Sequence, residues 1–262
     1  MSFVEKTRFH ADYHTHTEHS YCCEDITTQR LSRSQGEWSH QIAITDHSAH
    51  LVFPTEARGR LDSDEAPAIL AASATDGRER VLRYLERVRA LGGGFLAGTE
   101  LDILPDGRPV FPEDLLPELD VVVGAIHALP AVRRGQPVEV ALAEWRSQTE
   151  ALMALGVPIL GHPFRYLVQH RLPVRPADVA WLVDQAAARG VALEINSHYL
   201  CAEPDRWMVE ACLQRGVRLA IGTDAHRWSE HGDFHYHRKL LADYGITTQA
   251  ALDAVLFDHR QA

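Results

Sequence analysis

Seven times along this chain a short apolar run gives way to polar residues able to bind a metal ion. The runs are Phe9–Tyr13, Gln41–Thr45, Phe95–Thr99, Val121–Ile126, Val157–Gly161, Val191–Ile195 and Val217–Thr223. Each is too short for a helix of its own and reads as a buried strand. The residues that follow are His14 and His16, Asp46 and His47, Glu100, His127, His162, Glu194 and Asn196, then Asp224 and His226. Helical periodicity fills the intervals. Asp76–Gly92 opens with Asp76 and Glu79 in capping-box spacing and puts Val81, Tyr84, Leu85, Val88 and Leu91 on one face. Asp178–Arg189 and Asp205–Arg215 each begin with an aspartate suited to an N-cap and stop at Gly190 and Gly216. Gly156, Gly190 and Gly216 each precede a valine that opens the next run.

Helix, glycine, strand and polar strand end in repetition predict an α/β fold with a parallel sheet. Seven strands suggest a closed or nearly closed (β/α)7 TIM-like barrel, whose chemistry sits at the C-terminal strand ends. Residues 48–75 hold few periodic signals and read as a long loop over the barrel mouth. A helical segment follows residue 228, and no linker divides residues 1–262, so one domain is expected.

Composition narrows the classes. With 262 residues, 45% of them hydrophobic, one large core is within reach. No apolar run approaches the roughly 18 residues that span a bilayer, and Met1–His10 lacks the apolar stretch of a secretory leader. The four cysteines, Cys22, Cys23, Cys201 and Cys212, suit a reducing cytoplasm better than a disulfide scaffold. The net charge of −10 opposes long nucleic acid, and the arginines, scattered beside acids, read as solvated helix faces.

The 16 histidines are the feature that changes the picture. His14 and His16, at i and i+2 of a strand, share a face and can reach one ion. Glu100, His127, His162, Asp224 and His226 also finish apolar strands, where an unpaired charge would cost several kcal/mol. Bound cations remove that cost, and imidazole with carboxylate suits Zn, Mn or Fe better than Ca or Mg. No Gly-x-Ser-x-Gly elbow or P-loop is present.

The strings D-Y-H-T-H-T (12–17), I-T-D-H-S (44–48), G-T-E-L-D-I-L (98–104), G-A-I-H (124–127), G-H-P (161–163), E-I-N (194–196) and G-T-D-A-H (222–226) together resemble the PHP family, named for its polymerase and histidinol phosphatase members. The resemblance runs from about residue 10 to residue 228. It implies a distorted seven-stranded barrel holding two or three divalent ions and cleaving phosphate esters. His14, His16, Glu100 and Asp224 would hold one ion, and Glu100 would bridge to a second on His127 and His162. A third would take His47, His226 and the residue eight after the first histidine, here Cys22 where the family often has His or Asp. His19, Cys23, Glu24 or Asp25 are alternatives to Cys22.

The expected reaction is hydrolysis of a small phosphate monoester by a metal-bound hydroxide, the substrate being a phosphorylated metabolite or nucleotide. Histidinol phosphate is one candidate, although Ser-His-Tyr-Leu-Cys after Asn196 lacks the glycine and arginine that histidinol phosphatases of the family often carry. The alternative is a 3′–5′ exonuclease like the PHP domain of family X polymerases. A third reading is a PHP domain that has lost its ligands and serves as an interaction module, which the nearly complete ligand set opposes. Arg165, or Arg227, would clamp a phosphate oxygen, and His198 would protonate a leaving group. Asp46 would orient a ligand imidazole or a metal-bound water, and Glu194 and Asn196 would do similar work. His231, His235 and His237 read as an ordinary loop cluster entering a final helix.

Overall fold

The computed structural model describes residues 7–34, 39–57, 59–61 and 63–261. Among these residues seven strands form one parallel sheet in sequence order: β1 (Phe9–Thr15), β2 (Ser39–Ile44), β3 (Phe95–Asp102), β4 (Val121–Ala125), β5 (Ile159–Leu160), β6 (Ala192–Asn196) and β7 (Leu219–Gly222). Ile42 pairs with Phe95, Glu100 with Val123, Leu160 with Leu193, and Asn196 with Gly222. Every predicted run overlaps a strand. Parallel strands bring all their C-terminal ends to one rim, which is why the polar residues closing the runs meet there.

The barrel is nearly closed. At the rim β1 meets the chain after β7: Thr15 bridges Ala225, Asp224 N–H donates to His14 O at 2.7 Å and His16 N–H to Ala225 O at 3.1 Å. At the opposite end the C-terminal segment lies along β7, where Leu256 bridges Leu219 and Phe257 N–H donates to Leu219 O. Tyr13, Phe257, Val123, Ile159 and Ala220 belong to a small cluster inside the barrel, separate from the larger core between sheet and helices. The register of β1 shifts between Asp12 and Thr15. A bulge there interrupts strict alternation, so Tyr13 joins the inner cluster while His14 faces the site.

The helices depart from the sequence reading at their starts. Ala74–Arg89 begins before Asp76, which lies within the first turn, so Asp76 is not a cap. Its buried face is Val81, Tyr84, Leu85 and Val88, as the periodicity predicts. Pro176 starts its helix two residues ahead of Asp178, whose carboxylate instead accepts Arg175 N–H at 3.0 Å and pairs with Arg146. Asp205 lies inside Ala202–Arg215 and accepts the Tyr236 hydroxyl at 2.7 Å. Gly190 and Gly216 end their helices at φ of 69° and 70°, the left-handed conformation that favours glycine. Residues 48–75 are not a plain loop. They contain helical turns at Ser48–Val52, Thr55–Ala57 and Ala66–Ala72, too short for their periodicity to register. No helix among the described residues is long and apolar enough to cross a membrane.

Candidate metal centre

Glu100, at the end of β3, is fully buried where five imidazoles converge. Its Oε1 lies 2.8 Å from His162 Nε2, 3.1 Å from His127 Nε2 and 3.5 Å from His14 Nε2. Its Oε2 lies 2.7 Å from His47 Nδ1, without hydrogen-bond alignment, and 3.6 Å from His16 Nε2. Asp224 is the second anionic centre: its Oδ1 is 2.9 Å from His16 Nε2, 3.4 Å from His226 Nδ1 and 3.6 Å from His14 Nε2. All eight strand-end residues expected to bind metal thus converge.

A ring of acceptors aims these imidazoles. Glu194 Oε1 lies 2.8 Å from His14 Nδ1, while its Oε2 accepts His162 N–H at 2.6 Å and Asn196 Nδ2 at 3.2 Å. Asn196 also donates to Asp224 Oδ2 at 3.1 Å. These contacts match the orienting role expected of Glu194 and Asn196. Asp46 acts differently, gripping the Thr17 N–H and hydroxyl at 2.8 and 2.6 Å and so fixing the chain after β1. The residue that orients an imidazole from β3 is Asp102, 2.6 Å from His127 Nδ1. Sequence reasoning passed over it, although its place two residues after Glu100 on a strand signals a shared face.

Backbone detail serves the same convergence. His162 and Asp224 have φ of 25° and 52°, a region costly for non-glycine residues and characteristic of functional sites. Gly222 is required by close approach: a Cβ there would collide with Glu194 Oε1 and stand 2.8 Å from the Cβ of His14.

Charge is tightly balanced. Burial alone would raise the pKa of Glu100, but His127, His47 and His14 hold it well below the usual carboxylate range. Burial would likewise raise Asp224, which His14 and His16 hold well down. Burial lowers the imidazole of His14, yet Asp224, Glu194 and Glu100 carry it well above its ordinary value. His16 goes the other way, pushed down by burial and by His226 and His47.

Cys22 faces the same cluster. Burial pushes its thiol up, but hydrogen bonds with His226, His47 and His50 outweigh this and bring it down to about 4. The alternatives are engaged elsewhere or differently: Cys23 donates to Ile26 O, Glu24 pairs with Arg227, Asp25 with Arg30, and the His19 ring packs on Tyr84. His50 is the second residue that sequence reasoning missed, because it stands on the short Ser48–Val52 turn.

The donor set fits divalent ions. The groups His14–His16–Asp224, His14–Glu100–His162, His47–Asp102–His127, His16–His47–His226 and Cys22–His47–His50 each bring their donor atoms within 4.8 Å of one another. His14 Nε2 and Glu100 Oε2 are buried without a hydrogen-bond partner, open positions that a cation would fill.

A cavity of about 350 Å³ opens beside the cluster, with Cys22, His47, His127, His226, Arg165 and Tyr199 in its wall. The Arg165 guanidinium lies 4.6 Å over the Tyr199 ring. Arg227 is turned away onto Glu24. His198 stands behind His226, with ring centres 4.9 Å apart and its Nδ1 3.3 Å from Glu230. His237 is buried on the carbonyls of Ile195 and Gly222, and His231 lies 3.0 Å from the Ser34 hydroxyl. Both support the fold rather than the cluster.

A model of the PHP domain matches residues 12–198. The chain belongs to the PHP domain family. It is a phosphoesterase, a hydrolase of phosphate ester bonds. It is 27% identical over 226 residues to the DNA polymerase/3′-5′ exonuclease PolX of Bacillus subtilis, covering 86% of this chain but 36% of that protein. It is 24% identical over 255 residues to a protein of Thermoanaerobacter sp. named as a probable phosphatase, covering 92% and 89%. The fold is similar to that of histidinol phosphate phosphatase from Lactococcus lactis, solved with zinc, L-histidinol and phosphate, at a TM-score of 0.55 and 14% identity over 91% of this chain and 95% of that one.

Proposed function

We propose that the protein is a metal-dependent phosphatase of small phosphate monoesters. The buried Glu100 carboxylate, surrounded by five imidazoles with an unpartnered oxygen, is the observation that carries this reading. His14, His16, Glu100 and Asp224 would hold one ion, Glu100, His127 and His162 a second, and Cys22, His47 and His226 a third. The zinc of the Lactococcus lactis protein supports zinc here, with Mn or Fe as alternatives. Bound ions would lower the pKa of water and offset charge on the phosphate oxygens.

The chain's own residues do the rest. Glu194 and Asp102 take Nδ1 of His14 and His127, which leaves Nε2 of each ring for an ion. Arg165, steadied on Tyr199, offers its guanidinium fork to a phosphate oxygen. A cavity of about 350 Å³ suits a metabolite or nucleotide better than a polynucleotide. His198 would have to turn from Glu230 to reach a leaving group; His198→Gln, read as kcat against leaving-group pKa, tests that role.

The decisive assay compares metal-loaded protein on p-nitrophenyl phosphate, its diester analogue and single-stranded DNA. Monoester turnover with at least two ions per chain by elemental analysis is expected. Preference for the diester or DNA would favour the exonuclease reading supported by the polymerase relative. Less than about one ion per chain, in protein made without chelators, would remove the metal-dependent reading.

A further inference from the structure

A second cavity, of about 250 Å³, adjoins the metal cavity, and His50 stands in the wall of both. Three arginines line it: Arg80, Arg83 and Arg87. They recur at i, i+3 and i+7 of the helix Ala74–Arg89 and therefore share one face. On a chain with net charge −10 this is a local concentration of positive charge beside the catalytic rim. The carboxylate in the lining, Glu18, has both oxygens occupied by Thr28, whose N–H and hydroxyl donate at 2.7 and 2.8 Å. Arg80 is anchored by the carbonyls of Leu51 and Val52 and brings a fixed charge. Arg83 touches Glu79 only at 3.6 Å with both side chains mostly exposed, a contact worth little.

Two further atoms point to a ligand. His50 is only 7% exposed, and although its ring also engages Cys22, its Nδ1 has no hydrogen-bond partner. His19 Nε2, in the same lining, is also buried and unpartnered. A buried polar atom left unpaired is costly, and a ligand oxygen accepting from the ring N–H would offset that cost. Guanidinium groups and imidazoles around a small cavity form a site for a compact, multiply charged oxyanion.

We propose that this cavity is a second anion subsite and that the substrate is a phosphate ester bearing a second phosphate, one phosphate at the metal centre and the other against Arg83, Arg87, His19 and His50. The proposal rests on the phosphatase reading for the first phosphate. It refines the substrate class from any small monoester to one with two phosphates.

Alkanediol bisphosphates of three to six carbons, compared with the matching monophosphates, test the idea and measure the span. In the wild-type protein the best-fitting bisphosphate should show a KM roughly ten-fold or more below its monophosphate, the scale of one or two charge-assisted hydrogen bonds. In the double variant Arg83→Ala, Arg87→Ala the ratio should fall to about one. A ratio near one in the wild type, or an undiminished ratio in the variant, overturns the subsite. A 5′-phosphorylated dinucleotide, whose second phosphate is a diester, separates the two sources: an arginine-dependent advantage shared by the dinucleotide indicates oligonucleotide ends, and one confined to the bisphosphates indicates a metabolite. If no ester is turned over, the phosphatase reading fails by itself. Calorimetric binding of hexanediol bisphosphate to both proteins then decides the subsite, weaker binding by the variant supporting it and equal affinity refuting it.

Discussion

Replacing Glu100 by Gln preserves the size of the side chain and removes one negative charge from the point where five imidazoles converge. The consequences follow from the two faces of the carboxylate. Oε1 looks at His162, His127 and His14 within 3.5 Å, and Oε2 at His47 and His16 within 3.6 Å. An amide offers one acceptor and one donor. Whichever way it turned, its NH2 would meet two or three rings whose lone pairs the proposed ions would need, and Glu100 could no longer serve two ions. The proposed cations would then face each other with less anionic charge between them. Metal content should drop by about one ion per chain and kcat by roughly 100-fold or more, the scale of losing a preorganised electrostatic contact. That factor corresponds to about 2.7 kcal/mol of transition-state stabilisation. Elemental analysis together with saturating p-nitrophenyl phosphate turnover makes the measurement, and an unchanged thermal midpoint of the chelated protein excludes simple unfolding. Near-normal kcat in Glu100→Gln at full metal content would refute the ligand arrangement.

Three further outcomes are expected. Cys22, with its thiol brought down to about 4, should resist alkylation in the metal-loaded protein and react rapidly once chelated, whereas Cys23, pushed up to about 12, should react slowly in both; Cys22→Ser should lose close to one ion and Cys22→Asp should regain much of the activity, and an active Ser variant with unchanged metal would end the thiolate assignment. Gly222→Ala should cost about 1–3 kcal/mol through overpacking and lower metal affinity by driving Glu194 off His14, which denaturant unfolding and metal titration would detect; unchanged values in both would contradict it. His237 is held neutral by burial, with its pKa lowered to about 4. Its folded value lies below the unfolded one, so its contribution is fully present above about pH 6.5 and is lost as pH falls toward 4, up to about 3 kcal/mol. The thermal midpoint of chelated protein should fall across that window, less so in His237→Gln, and a flat profile would dispose of the argument.

The strands and the cluster were legible for one reason. Burial in a parallel sheet demands apolar runs, and catalysis at the strand ends demands polar residues directly after them, so local order along the chain already contains both. Hence Glu100, His127, His162 and Asp224 could be named from position alone. Helix starts were less legible, because Asp178 and Asp205 serve as acceptors inside a first turn as readily as at a cap.

What the chain dictates by itself is the alternation of strand and helix, the rim to which the polar residues belong, and the family. The tertiary structure decides the partners. Asp102 became the orienting acceptor of His127, and Asp46 a clamp on Thr17, because side-chain direction at a rim depends on bulges and left-handed residues that no periodicity records. His50 joined Cys22, and three arginines that read as solvated helix faces came to line one cavity. These contacts join residues distant in sequence, and only packing of the segment 48–75 and the helix Ala74–Arg89 against the barrel mouth brings them together.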